Sequence, residues 1–289
     1  MDSPVGLDPE LAALRPLGAY FALRTGPANR SGTAQADPPP GPLPPTLATA
    51  YLPPAPDGPD HDPGTPAHPG TLEAPGDPRT PAAPRASTDP LTRRVRRVAA
   101  ALRTPEARVA ASVAQQGLAA RLWSVALGCA VLYGRVPDLA PSRLRWDPEG
   151  SAPDDLLLAE VRAAGPGDAA TLAATVLDGH LEPLSAALRR RLPVAPGLLR
   201  GNAASALAGT ARQLEAHARA HGRPDLVART RALTADLLAH PLLADTGRLT
   251  GTAFRRHSCC LYYRVPGGGV CGDCCFSTPP RSSPRPLSG

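Results

Sequence analysis

Leu118-Ala119-Ala120-Arg121-Leu122-Trp123-Ser124-Val125-Ala126-Leu127-Gly128-Cys129-Ala130-Val131-Leu132-Tyr133 is the stretch that decides how this chain folds. Apolar side chains fall on every side at helical spacing, so it reads as a helix buried all round. Its longest apolar run, Leu122 to Tyr133, is too short to span a bilayer, and Arg121 precedes it. Gly134 stands where a helix stop is expected. Within this helix Cys129 reads as a small core residue.

Working outward, Thr104-Pro105-Glu106 resembles a helix start, and Gly117 is placed to end that helix. Ser142 to Trp146 alternates Leu144 and Trp146 with arginines, which fits one short strand. Leu, Ala and Val at three- and four-residue spacing then predict helices over 153–164, 168–178, 181–192, 196–220 and 223–240. The expected class is mainly α, a multi-helix body with at most a small β element.

The flanks have a different character. Asp8 to Leu23 suggests a first helix interrupted by Pro16, within an N-terminal segment, 1–36, that packs on the body. Residues 37–90 are dense in proline, with Pro38-Pro39-Pro40, Pro44-Pro45 and Pro53-Pro54. Such a stretch buries too little apolar surface to offset its ordering entropy and reads as a disordered insertion. The body spans 91–250, a Cys-rich segment 251–276, and a disordered tail 277–289.

The formal net charge is +6, yet the chain holds neither Lys nor Ile, and all 31 basic residues are Arg. These arginines mix with Asp and Glu along the helices, and no basic stripe interleaves with aromatics. The charge therefore reads as solvated surface rather than a nucleic-acid footprint. Met1-Asp2-Ser3-Pro4 lacks the charged and apolar regions of a secretory signal, so a cytoplasmic location is expected. Neither a G-x-G-x-x-G after a strand nor a P-loop occurs, so no nucleotide site is expected. His180, His217, His221 and His240 lie scattered and suggest no catalytic arrangement.

The chemistry is expected at the C-terminus, in the pattern C-C-x10-C-x2-C: Cys259, Cys260, Cys271 and Cys274. Pro266-Gly267-Gly268-Gly269 lies between the pairs and allows the chain reversal that brings them together. Clustered thiols in a reducing compartment bind metal more often than they form disulfides. A structural zinc is one occupant, but zinc sites usually draw on two C-x2-C-like pairs. The vicinal pair closes awkwardly on one ion, whereas a 2Fe–2S core offers two metal atoms. His257 is a further conceivable ligand. Cys275 directly follows Cys274 and reads as a bystander, with alternate ligation left open.

The run Phe254-Arg255-Arg256-His257-Ser258-Cys259-Cys260-Leu261-Tyr262-Tyr263-Arg264-Val265-Pro266-Gly267-Gly268-Gly269-Val270-Cys271-Gly272-Asp273-Cys274 resembles the C-terminal signature of the FhuF family of ferric-siderophore reductases. Arg108-Val109-Ala110-Ala111-Ser112 and Gly201-Asn202-Ala203-Ala204-Ser205-Ala206-Leu207 resemble the helical body of actinobacterial members. The resemblance covers Leu91 to Cys274 and leaves out the Pro-rich insertion.

The resemblance implies a 2Fe–2S cluster on Cys259, Cys260, Cys271 and Cys274, and one-electron reduction of a ferric siderophore to release Fe(II). It implies a siderophore cavity in the helical body and a separate electron donor: a ferredoxin, a flavodoxin or a flavin reductase. Arg255, Arg256 and Arg264 flank the thiols, where they either stabilise a reduced cluster or attract an anionic substrate. Gly272 and Asp273 expose peptide N–H groups toward cluster sulfur. Asn202 is a candidate for lining the cavity. Two other readings stand beside this one: a non-catalytic iron–sulfur sensor or scaffold, and a zinc-stabilised siderophore-binding module.

Overall fold

A computed structural model describes residues 8–26, 43–54 and 89–280. The chain enters through α1 (Asp8–Ala13), a 3-10 turn at Arg15–Leu17 and the two-residue strand β1 (Arg24–Thr25). Next come α2 (Leu47–Tyr51), α3 (Pro90–Ala101) and the long α4 (Ala107–Tyr133). Short strands follow: β2 (Arg135–Pro137), β3 (Leu144–Trp146), β4 (Leu156–Leu158) and β5 (Ala163–Pro166). The helices α5 (Ala169–Leu172), α6 (Glu182–Arg191), α7 (Pro196–Ala220) and α8 (Pro224–Leu238) complete the body. A hairpin, β6 (Gly247–Thr250) and β7 (Ala253–Arg256), closes the described part before the Cys-rich segment. The fold is mainly α, as its periodicity predicts.

The centre is the pair α4 and α7, with α3 packed on α4 and α8 on α7. Residues from every side of α4 are buried, which fits its lack of a polar face. The polar groups it takes inside have partners. Arg121, 1% exposed, donates Nε to Asp155 Oδ1 at 3.1 Å, Nη1 to the carbonyls of Ala19 and Tyr20 at 2.7 Å each, and Nη2 to the Pro153 carbonyl at 3.1 Å. Strands β1, β4 and β3 form a small mixed sheet, β1 parallel and β3 antiparallel to β4, with Trp146 opposite Leu156.

Three expectations need correcting. Gly117 does not end a helix; α4 runs through it, held by packing on both sides, and stops at Gly134 in the left-handed region, φ +71°. The helix expected over 153–164 is instead β4 and β5, because Leu156-Leu157-Leu158 is buried on both faces of the small sheet. Residues 43–54, inside the expected disordered insertion, are packed: Leu47 and Ala50 of α2 are fully buried against α3 and α6. Leu47 and Ala50, with Tyr51 packed against the core, suffice there despite the neighbouring prolines. The rest of the expected insertion, and the end of the tail, lie outside the described residues.

The helix predicted over 168–178 begins as α5 and widens into a π-helical stretch, Ala173–Leu181, before α6. Pro183 near the start of α6 has no N–H and crowds the carbonyl four residues back, which the wider spacing relieves. The stretch buries His180 completely, its Nε2–H donating to the Leu139 carbonyl at 2.6 Å while Nδ1 accepts from Tyr51 Oη at 2.8 Å. That pairing fastens α2 to the body. No helix among the described residues is long and apolar enough to cross a membrane.

Candidate metal centre

The hairpin delivers the first cysteine pair. Phe254 on β7 is buried on the core side, while Arg255 points outward. At the end of the strand the Arg256 N–H donates to the Asp273 carbonyl at 3.0 Å, and just beyond it the His257 N–H donates to the Thr246 carbonyl at 2.8 Å. Residues 256 and 273 are thereby fixed side by side. Between them the chain makes a 3-10 turn, Tyr262–Arg264, and then reverses at Val265-Pro266-Gly267-Gly268. The Gly268 N–H closes this turn on the Val265 carbonyl at 2.7 Å, with Pro266 at the second position and Gly267 at φ +71°, the type II pattern. A Cβ on Gly268 would stand 2.6 Å from the Tyr262 carbonyl oxygen, so glycine is required there.

The segment is tied to the central helices from below. Ser112 Oγ on α4 donates to the Cys260 carbonyl at 2.7 Å, and Asn202 Nδ2 on α7 holds Ser112 Oγ at 3.0 Å. Asp273, 8% exposed, accepts from Ser205 Oγ at 2.6 Å and pairs with Arg212 Nη1 at 3.1 Å. Ser258 Oγ donates to the Gly197 carbonyl at 3.0 Å. Arg264 Nε reaches Glu106 Oε1 at 2.7 Å, pinning the 3-10 turn to the start of α4.

The four sulfurs of the C-C-x10-C-x2-C pattern share a local feature. Each feels the peptide N–H of the residue two positions on: Cys259 accepts from Leu261 at 3.2 Å and Cys274 from Phe276 at 3.4 Å, while the Tyr262 and Asp273 N–H groups favour charge on Cys260 and Cys271. Such N–H groups favour negatively charged sulfur. Among the described residues no N–H from two positions on acts on Cys275.

Cys260 and Cys271, from opposite pairs, approach to 3.5 Å between sulfurs. A metal–sulfur bond of about 2.3 Å sets two thiolates on one tetrahedral metal about 3.8 Å apart, so this spacing suits a shared metal. The hydrogen bond between them holds the Cys260 thiol down at about 6 and pushes Cys271 up. Burial raises the Cys259 thiol to about 11. Cys259 and Cys274 lie close enough to feel each other's charge, but no three His, Cys, Asp or Glu side chains among the described residues converge on one point.

Arg256 tests whether an anionic group fits. Its side chain is 1% exposed, and Nη2 donates to the Leu198 carbonyl at 3.1 Å. Nε and Nη1 are buried with no partner. Its positive charge acts on Cys260 and Cys275. Unlike Arg121, whose donors are satisfied, Arg256 is a buried cation short of an anion. A cluster on four thiolates carries net negative charge, so both the donor set and this guanidinium fit it.

The other sequence candidates divide. Arg264 is committed to Glu106, and Arg255 is exposed, with Nη2 on the Cys275 carbonyl at 3.1 Å. Asn202 is fully buried and braces Ser112, so it lines no open cavity, although its Oδ1 has no partner. His257 is exposed and donates Nδ1–H to the Asp245 carbonyl at 2.7 Å, away from the thiols. Cys129 sits in the core, its thiol pushed up to about 12 by burial.

Sequence reasoning missed Ser112, Ser205, Arg212 and Glu106, whose partners are distant in the chain and leave no local signal. It also left the cavity unplaced. A cleft of about 480 Å³ opens between α4 and α7, lined by Tyr20, Gln116, Ser124, Thr210 and Gln213, and Cys271 and Gly272 form part of its wall.

Residues 256–276 match the family model described as the FhuF 2Fe-2S C-terminal domain. No curated protein matches the chain. The C-terminal segment is therefore similar to the FhuF 2Fe–2S domain, and the match supports a 2Fe–2S cluster as its cofactor.

Proposed function

We propose that this FhuF-type segment holds its cluster on Cys259, Cys260, Cys271 and Cys274 and passes single electrons to a ferric siderophore seated in the cleft between α4 and α7. When bound, the cluster supplies one electron at a time, which matches the conversion of Fe³⁺ to Fe²⁺. Siderophore oxygens hold the trivalent ion far better than the divalent one, so the added electron lets the iron leave.

The observation that carries this reading is the double role of Cys271. Its sulfur faces Cys260 at 3.5 Å, and the same residue walls the cleft. A complex in the cleft would stand next to a ligand cysteine, where electron transfer is short-ranged. The chain's own groups prepare both sides. Peptide N–H groups of Leu261, Tyr262, Asp273 and Phe276 stabilise charge on sulfur. Gln116, Gln213 and Tyr20 present amide and hydroxyl groups to a large polar ligand, while Arg212 is already paired with Asp273. The electron comes from a separate donor, and a cytoplasmic setting suits release of Fe(II).

The test is a single turnover. The protein is purified without oxygen, reduced, freed of reductant and mixed with a ferric siderophore. Recovery of the oxidised visible spectrum, matched one for one by Fe²⁺ caught in a colorimetric chelator, supports the proposal. A cluster that stays reduced with hydroxamate and catecholate complexes alike overturns it in favour of a sensor or scaffold.

A further inference from the structure

The cluster segment has a second face, outside the cleft lining and carried by the β6–β7 hairpin. The register sets Arg248 directly opposite Arg255. Directly opposed residues project to the same side of a two-stranded ribbon, so two guanidinium groups stand together on its outer surface. Both are exposed, and neither forms an ion pair among the described residues. Like charges in this relation destabilise a ribbon. Elsewhere on the surface many arginines are neutralised, as in Arg93–Glu149, Arg143–Glu160 and Arg223–Asp225.

The charged pair adjoins the thiols. Arg255 Nη2 donates to the Cys275 carbonyl at 3.1 Å, and the next residue, Phe276, is 38% exposed. Phe276 stacks edge-on against Tyr263, with ring centroids 6.0 Å apart. Arginine and aromatic side chains are the types that carry most of the energy in protein interfaces. None of these residues lines the cleft.

We propose that this face, Arg248 and Arg255 with Phe276, is the docking surface for an acidic one-electron donor protein. It rests on the function proposed above. Acidic groups on the donor satisfy the two opposed cations and orient its redox centre toward the Cys274–Cys275 side. One electron leaves the donor and enters at this face, then leaves on the Cys271 side toward the cleft. No proton or bond changes hands.

The test compares two reductants by stopped flow: a reduced acidic 2Fe–2S ferredoxin and the methyl viologen radical cation. The wild-type rate constant with ferredoxin should fall as salt is added. An Arg248→Glu/Arg255→Glu variant should be slower by about tenfold or more at low salt, with a flattened salt dependence. Its rate with viologen should not fall. A reversal of equal charge elsewhere, Arg96→Glu/Arg189→Glu, should stay within about twofold of wild type with ferredoxin. Equal ferredoxin rates for wild type and the hairpin variant, with normal viologen reduction, overturn the docking face alone. A wild-type protein that viologen also fails to reduce overturns the proposed function, and the docking face with it.

Discussion

Ser205 on α7 donates its hydroxyl to Asp273 Oδ2 at 2.6 Å, joining the central helix to the residue between the last two cysteines of the motif. Asp273 has a second partner in Arg212 and presents its own N–H to Cys271. One side chain thus sets the position of a backbone donor to sulfur. Replacement by Asn keeps the shape but loses charge-assisted bonds. Asp273→Asn should cost about 2 kcal/mol, less any part of the Arg212 pairing that solvent screens. Asp245→Asn, at an exposed left-handed position that Asn tolerates, should change little. Urea unfolding midpoints distinguish the two.

At Gly201 the cluster segment lies close against α7. A Cβ there would stand 2.4 Å from Ser258 Oγ and 3.0 Å from Arg256 Nη2. Gly201→Ala should destabilise the fold by about 1–3 kcal/mol and lower the iron content per chain. Gly197→Ala, where nothing lies within 4 Å, should be neutral or slightly stabilising. Thermal melts with iron analysis check both.

Arg256 should act on the cluster's charge. Without the guanidinium, the extra electron of the reduced state meets less positive potential. Arg256→Met should shift the midpoint negative by about 60 mV, the equivalent of a tenfold change for a one-electron couple. In metal-free protein the same change should be neutral or stabilising, because it removes an unpaired buried cation. Spectroelectrochemical titration reads the first effect and denaturant unfolding the second. An unchanged potential would mean that the cluster lies beyond the reach of Arg256.

His180 makes stability depend on pH. Burial disfavours its imidazolium and lowers its pKa from 6.5 to about 4, against the opposing hydrogen bond to Leu139. Between those values the unfolded chain binds a proton that the folded chain does not. Its contribution is complete above about pH 6.5 and is lost as pH falls toward about 4. The stability lost between pH 7 and pH 5 should be larger in wild type than in His180→Gln. Parallel losses in both proteins would contradict this.

Much of the architecture was legible because it is written locally. Pro196 and Gly222 bracket α7, and its observed span matches the predicted 196–220. The cysteine spacing marked the segment that the family model also matches. Signals that depend on partners were not legible. Leu156-Leu157-Leu158 has no period to separate strand from helix, and only pairing with β1 and β3 decides it. The β6–β7 hairpin buries Phe254 but leaves Leu249 partly exposed, so its alternation is faint. Leu47, Ala50 and Tyr51 are too few to stand out among prolines until His180 and the core receive them. Ser112 and Cys260, 148 residues apart, meet only once α4 is packed.

The most direct measurement is iron and acid-labile sulfide per chain, after anaerobic purification, in wild type and in Cys→Ser variants at each position of the motif and at Cys275. Two irons and two sulfides should be present in wild type and in Cys275→Ser, and cluster should be lost or destabilised when Cys259, Cys260, Cys271 or Cys274 is changed. A colourless protein with one zinc and no sulfide, or loss of cluster in Cys275→Ser alone, would contradict the account.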